Sequence, residues 1–84
     1  MEHERIIHIL EYLRKNTDET RTVSIKQIQS HLDRNYNMQS VSPLTIRRDI
    51  ERLTTMGYPI TIKRGAHNTY LYQMETEGFT FNEI

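Results

Sequence analysis

The basic side chains that could recognise an anion are concentrated in residues 42–64. This stretch contains five basic and two acidic residues, whereas residues 65–84 contain three acidic residues and no basic one. The five bases are Arg47, Arg48, Arg52, Lys63 and Arg64. A guanidinium group is planar and donates paired hydrogen bonds to a phosphate or to the groove edge of guanine. The chain has a formal net charge of zero, but this distribution indicates a basic face suited to nucleic acid.

The three arginines fall in a segment with clear signals for the start and the end of a helix. Ser42 is predicted to be the N-cap, and Pro43 occupies the first helical position, where a missing N–H has no cost. Gly57 is expected to end the helix, and Pro59 prevents its continuation. These signals predict a helix over residues 43–56. Its predicted core stripe consists of Ile46, Ile50, Leu53 and Met56.

The opposite face of this helix is the candidate surface for contact with bases. Its residues are Leu44, Arg48, Glu51 and Thr55, flanked by Thr45, Arg47 and Arg52. A helix in the major groove contacts base edges with its N-terminal turns, and its free amides suit a backbone phosphate. Considered alone, the polar surface of such a helix is more often simply exposed to solvent, and its arginines pair with Asp49 and Glu51. The cap, the preceding helix and the following basic hairpin favour the binding interpretation.

Apolar periodicity predicts two helices before this one. The first is expected over residues 3–15, with Asn16 as a left-handed stop. The second begins at Ser24, which forms a capping box with Gln27, and ends near residues 33–34. The predicted core of these two helices consists of Ile6, Ile9, Leu10, Leu13, Ile25, Ile28 and Leu32.

After Pro59 the apolar period changes to that of a strand, which predicts a β-hairpin over residues 60–73 with its tip at residues 65–68. The side chains expected to face the helices are Ile60, Ile62, Tyr70 and Tyr72. Three helices followed by a hairpin predict an α+β fold. The specific expectation is a winged helix-turn-helix, with a three-helix core and a C-terminal β-hairpin wing. The wing carries Lys63, Arg64, His67 and Asn68, and bases beside a flexible tip favour phosphate contact.

Residues 41–50, VSPLTIRRDI, resemble the recognition-helix motif of DeoR-type regulators, in which V-S-x-x-T-I-R-R-D-L recurs. Residues 57–60, 70–72 and 79–84 are similar to the N-terminal domain of WYL-domain transcriptional regulators. The resemblance implies a DNA-binding domain over residues 1–77 and a segment, residues 78–84, that leads to an effector-sensing domain. It implies that Ser42, Pro43, Leu44, Thr45, Arg47 and Arg48 face DNA. It also implies a structural position for Asp49, near the contact with the second helix.

The function predicted from these features is sequence-specific binding of double-stranded DNA by the DNA-binding domain of a transcriptional regulator. The third helix would enter the major groove, and the hairpin would act as the wing. The candidate DNA contacts are Ser24, Ser42, Pro43, Leu44, Thr45, Arg47, Arg48, Arg52, Lys63, Arg64, His67 and Asn68. The alternative is a winged-helix module for protein contact or dimerisation without DNA. That function requires an apolar exposed face on the third helix, where Leu44 alone is apolar.

Other classes of protein are disfavoured by composition. The chain has no cysteine, and its four histidines lack the spacing of metal ligands, so no metal or cofactor is expected. A domain of this size has little room for a catalytic pocket, so we do not expect an enzyme. No apolar run is long enough to span a membrane, and a cytoplasmic protein is expected. The apolar residues Phe79, Phe81 and Ile84 suggest a connection to a further domain, and a homodimer is expected only in that longer chain.

Overall fold

The computed structural model describes the backbone of residues 2–75 and the side chains from residue 4 onward. The helices are α1 (Glu2–Asn16), α2 (Ile25–Tyr36) and α3 (Pro43–Thr55), and the strands are β1 (Val23–Ser24), β2 (Ile60–Arg64) and β3 (Tyr70–Met74). The strands form one antiparallel sheet in the order β1-β3-β2. This arrangement confirms the predicted α+β winged helix-turn-helix. Residues 78–84, which we expect to be a connecting segment, lie outside the described residues.

The core is built from the apolar stripes that the sequence predicts. Its buried members are Ile9, Leu13, Val23, Ile28, Leu32, Ile46, Ile50, Leu53, Tyr72 and Met74. The prediction for Met56 is wrong, because its side chain is 66% exposed. α3 ends one residue earlier than expected, and Met56 is the C-cap before Gly57, whose φ of 109° turns the chain away. A side chain at this turn no longer follows the buried stripe of the helix.

The predicted helix starts agree with the structure at the level of single hydrogen bonds. The hydroxyl of Ser24 accepts from the amide of Gln27 at 3.2 Å, and the Gln27 side chain accepts from the amide of Ser24 at 2.8 Å. The helix ends are less predictable. α2 continues to Tyr36 and ends at Asn37, which has the left-handed φ of 56°. α1 does end at Asn16, but the left-handed conformation predicted for that residue is wrong, because Asn16 is the last helical residue and its φ is not positive.

Two buried polar side chains, Thr17 and Gln73, connect the end of α1 to β3. The Thr17 hydroxyl donates to the carbonyl of Leu13 at 2.6 Å and accepts from the amide of Met74 at 2.9 Å. The Gln73 amide donates to the carbonyl of Asp18 at 2.8 Å. A buried polar group costs stability unless it is paired, and these bonds pair the Thr17 hydroxyl and the Gln73 side-chain nitrogen. These contacts attach the C-terminal end of β3 to the end of α1.

The orientation of α3 is fixed by an ion pair with α1. Asp49 is only 2% exposed, and its carboxylate accepts from both Nε and Nη2 of Arg5, the latter at 3.1 Å. A bidentate pair of this kind is directional as well as strong. The sequence resemblance implies a structural position for Asp49 near the contact with α2; the side chain is buried, and its ion-pair partner lies on α1. The pair thereby holds the helix that carries the candidate DNA contacts.

Candidate nucleic-acid interface

The N-terminal turn of α3 is capped by its own side chains. The hydroxyl of Ser42 accepts from the amide of Thr45 at 3.1 Å and lies 3.0 Å from the Thr45 hydroxyl. Pro43 occupies the first turn, as predicted. Ser42 and Thr45 are therefore engaged in stabilising the helix start. A DNA phosphate at this end would approach the remaining free amides and the positive end of the helix dipole.

The outward face of α3 presents Leu44 and Arg48, one helical turn apart. Leu44 is 53% exposed, and Arg48 is exposed as well. Further along the same helix, a shallow depression of about 530 Å³ is lined by Arg48, Glu51, Arg52, Thr55 and Met56. Arg48 and Arg52 thus lie on one continuous surface that begins near the capped N-terminus. This geometry allows two arginines of one helix to reach the same groove at different depths.

Arg47 points to a different place from its neighbour in sequence. Its Cζ atom lies 5.6 Å from the centre of the Tyr70 ring on β3. Burial raises the pKa of the Tyr72 hydroxyl, and the charge and hydrogen bond of Arg47 oppose that rise. Arg47 therefore occupies the junction between α3 and the hairpin. The structure separates it from Arg48, although the sequence resemblance gives both residues the same role.

The two bases of the wing lie on opposite faces of the sheet. Arg64 pairs with Tyr70 across the ladder, and its Cζ atom lies 5.8 Å from the centre of that ring. Lys63 pairs with Leu71, which in turn pairs with Ser24 of β1. Side chains of directly paired residues share a sheet face, and adjacent residues alternate between faces. Arg64 accordingly lies on the same face as Tyr70, whereas Lys63 shares the other face with Ser24.

The hairpin faces α3 across an open groove. The groove has a volume of about 550 Å³ and is lined on the hairpin side by Ile60, Ile62, Tyr70 and Tyr72. These are the four residues predicted to face the helices, but only Tyr72 is buried. Ile62 is 54% exposed and Tyr70 is 38% exposed. All four side chains face α3 as predicted, but Ile62 and Tyr70 stay exposed because the far half of the hairpin extends beyond the cover that α3 provides.

The tip of the hairpin is a tight turn with two left-handed residues, His67 and Asn68, whose φ angles are 56° and 62°. The amide of Thr69 donates to the carbonyl of Ala66 at 3.1 Å across this turn. Two successive positive φ angles characterise the turn type that matches the twist of a hairpin. Both His67 and Asn68 are exposed. The tip therefore offers two polar side chains that are open to solvent.

The sequence pattern of the helix-turn-helix (HTH) domain family matches residues 5–70. The chain belongs to this family. The match extends from α1 to the first residue of β3, and it supports a helix-turn-helix DNA-binding domain. No curated protein and no solved structure matches the chain.

Within residues 2–75 of this HTH domain, no helix is long and apolar enough to cross a membrane. In the same part of the chain, no three histidine, aspartate or glutamate side chains are grouped so that they could hold a metal ion.

Proposed function

We propose that this HTH domain binds double-stranded DNA in a sequence-specific manner as part of a transcriptional regulator. α3 would enter the major groove, and the β2–β3 hairpin would lie against the DNA as the wing. The observation that carries the proposal is the outward face of α3, where Leu44 and Arg48 are exposed directly after the capped helix start. A recognition helix needs such a combination of a free N-terminal face and long donor side chains.

Each residue of this face has a role that its chemistry suggests. Arg48 would donate to the two acceptors of a guanine, and Leu44 would contact the methyl group of a thymine. Arg52 lies one turn beyond Arg48, where a phosphate contact fits better than a base contact. Phosphate contacts position a protein on DNA, whereas base contacts specify the sequence. This division predicts different consequences when the two arginines are removed.

The architecture of the whole regulator is a further part of the proposal. The resemblance of residues 41–50 to DeoR-type regulators, and of residues 57–60 to WYL-domain regulators, supports an N-terminal position for this domain in a longer chain. High-affinity operators are commonly bound as two half-sites by a symmetric dimer. We therefore expect the domain alone to bind one half-site, and we expect dimerisation to depend on the following domain.

The decisive experiment is selection of bound sites from random duplex DNA, followed by titration of the selected site at several salt concentrations. We expect an enriched motif and a slope of log K against log salt of about −0.9 for each phosphate that the domain neutralises. Arg14→Ala, which removes an exposed base at the end of α1, should leave the slope close to that of the wild-type domain. Absence of any enriched motif, or affinity that is insensitive to salt, would contradict the proposal.

The hairpin tip should be removable without loss of the fold. We expect replacement of residues 65–69 by Asn-Gly to change the free energy of unfolding by less than about 0.5 kcal/mol, because residues 66–69 are exposed and this dipeptide forms a compatible turn. DNA affinity should fall, because His67 and Asn68 would no longer reach the backbone. Thermal melting and DNA titration of the same preparation check both expectations. A large loss of stability would show that the tip packs against the domain.

A protein-interaction module remains the second candidate, and one observation favours it. Met56 and Ile62 are more exposed than their sequence pattern predicts, which adds apolar surface beside α3. However, Leu44 and Met56 lie near opposite ends of α3, with Arg48 and Arg52 between them. The surface is therefore interrupted by charge, which suits DNA better than an apolar partner. Selection without enrichment, together with self-association in sedimentation, would favour this second function.

A further inference from the structure

We propose that Arg47, Tyr70 and Arg64 bind one phosphate of the DNA backbone at the junction between α3 and the wing. We refer to these three residues as the junction site. The proposal rests on the proposed DNA-binding function and deepens it, because it assigns a single backbone group to residues from three different elements. It also gives Arg47 a phosphate contact in place of a base contact.

The geometry of the junction site brings two cations to one aromatic ring. Arg47 approaches Tyr70 from α3 at 5.6 Å, and Arg64 approaches the same ring from β2 at 5.8 Å. The register of the sheet fixes this arrangement, because Arg64 and Tyr70 are directly opposed in the ladder. Both guanidinium groups belong to exposed residues, and Tyr70 is partly exposed. A ligand in solution can therefore reach all three side chains.

The two guanidinium groups of the junction site are not engaged in ion pairs within the described part of the chain. Among the residues whose side chains the structure describes, no carboxylate forms an ion pair with Arg47 or with Arg64. Glu51 lines the groove that Arg47 also lines, but the ion pairs of this part of the chain do not include it. Two like charges held beside one ring repel each other, and an anion placed between them removes that repulsion.

A backbone phosphate fits the chemistry of these three side chains. Each guanidinium can donate two parallel hydrogen bonds to phosphate oxygens, and the Tyr70 hydroxyl can donate a further hydrogen bond to the same phosphate. Cation–π attraction to the one aromatic ring restrains both guanidinium groups, which limits the side-chain entropy lost on binding.

A phosphate bound here would couple the wing to the recognition helix. Arg47 belongs to α3 and Arg64 belongs to the hairpin, so a single bound group would set the angle between the two elements. The open groove between Ile62 and α3 shows that apolar packing alone does not close this angle. The junction site would therefore align base contacts in the groove with wing contacts on the backbone.

The test uses duplexes of the selected site in which one phosphate at a time is replaced by a neutral methylphosphonate. Arg47→Ala and Arg64→Ala should each weaken binding of the unmodified duplex by about tenfold, as expected for a hydrogen bond to a charged group. On the duplex that carries the methylphosphonate at the contacted position, the wild-type domain should lose this contact too. Both variants should therefore bind that duplex with the same affinity as the wild-type domain does. Lys63→Ala is the matched control, because Lys63 is the neighbouring base on the opposite sheet face, and this variant should remain sensitive to that position.

The ring is tested separately, with Tyr70→Phe retaining the aromatic support and Tyr70→Leu removing it. Tyr70→Leu should weaken binding more than Tyr70→Phe, and circular dichroism should show that both variants are folded. Assignment of Arg47 and Arg64 to different phosphates, or to none, would overturn the junction site while leaving DNA binding intact. Failure of the wild-type domain to bind any duplex would overturn both the junction site and the proposed function.

Discussion

Replacement of Asp49 by alanine is expected to destabilise the domain by about 3–5 kcal/mol, the cost of breaking a buried ion pair by removing one partner. Asp49 is buried, and the side chain of its partner Arg5 is only 18% exposed. The arginine would lose its carboxylate without gaining full access to water. A loss of this size is a large fraction of the stability of a small domain. We therefore expect Asp49→Ala to be partly unfolded at moderate temperature.

Urea unfolding of Asp49→Ala beside Glu51→Ala measures this effect. Glu51 is an exposed acid two residues further along α3, so it controls for the loss of a negative charge from the same helix. Its substitution should change stability by no more than about 0.5 kcal/mol. The double variant Arg5→Ala, Asp49→Ala should lose less than the sum of the single losses, because the two residues are coupled. If Asp49→Ala and Glu51→Ala have the same free energy of unfolding, the ion pair does not hold α3.

The second large effect is expected at Arg48, which should specify a base. Arg48→Ala should cost about 1–3 kcal/mol of binding free energy on the selected site and relax the sequence preference at one base pair. The reason is its position, because it is exposed on the outward face within two turns of the N-cap. Repeating the selection with the variant domain would show which base pair becomes degenerate.

Arg52→Ala is the comparison variant for Arg48→Ala, because Arg52 is proposed to contact a phosphate, which carries no sequence information. Its removal should weaken binding to selected and random duplexes by the same factor. The slope of log K against log salt should become less steep by the amount expected for about one phosphate. If both variants reduce binding to selected and random DNA equally, the division of roles along α3 is wrong. If Arg52→Ala relaxes a base pair and Arg48→Ala does not, α3 lies in the groove at a different depth from the one we propose.

The features of the fold that were predictable from the sequence are those determined by neighbouring residues. The starts of α2 and α3 depend on Ser24 and Ser42 and on the amides three residues later, so a short pattern is sufficient. The burial of Thr17 and Gln73 depends on partners on other elements, and no local pattern signals it. A polar residue is exposed by default in a sequence-based analysis, and both of these residues are exceptions.

The candidate site was predictable in composition but not in arrangement. The sequence indicates which bases belong to α3 and to the hairpin, yet the direction of Arg47 depends on where Tyr70 lies in three dimensions. The partner of Asp49 was likewise missed, because Arg5 is 44 residues away along the chain. One part of the arrangement does follow from a local pattern. Strand alternation alone places Lys63 and Arg64 on opposite faces, so their separation follows from the sequence once β2 is assigned.

The position of β2 at the outside of the sheet has a consequence for the solubility of the domain. Within the described residues, no strand pairs with the outer edge of β2, and Ile62 is exposed there. An open edge of this kind can pair with the edge of another molecule and start aggregation, and lysine is a residue that natural proteins use to prevent it. Lys63 and Arg64 end this strand with two positive charges. The charges proposed to attract DNA would then also keep neighbouring copies apart, so selection for binding and selection against aggregation act on the same two residues.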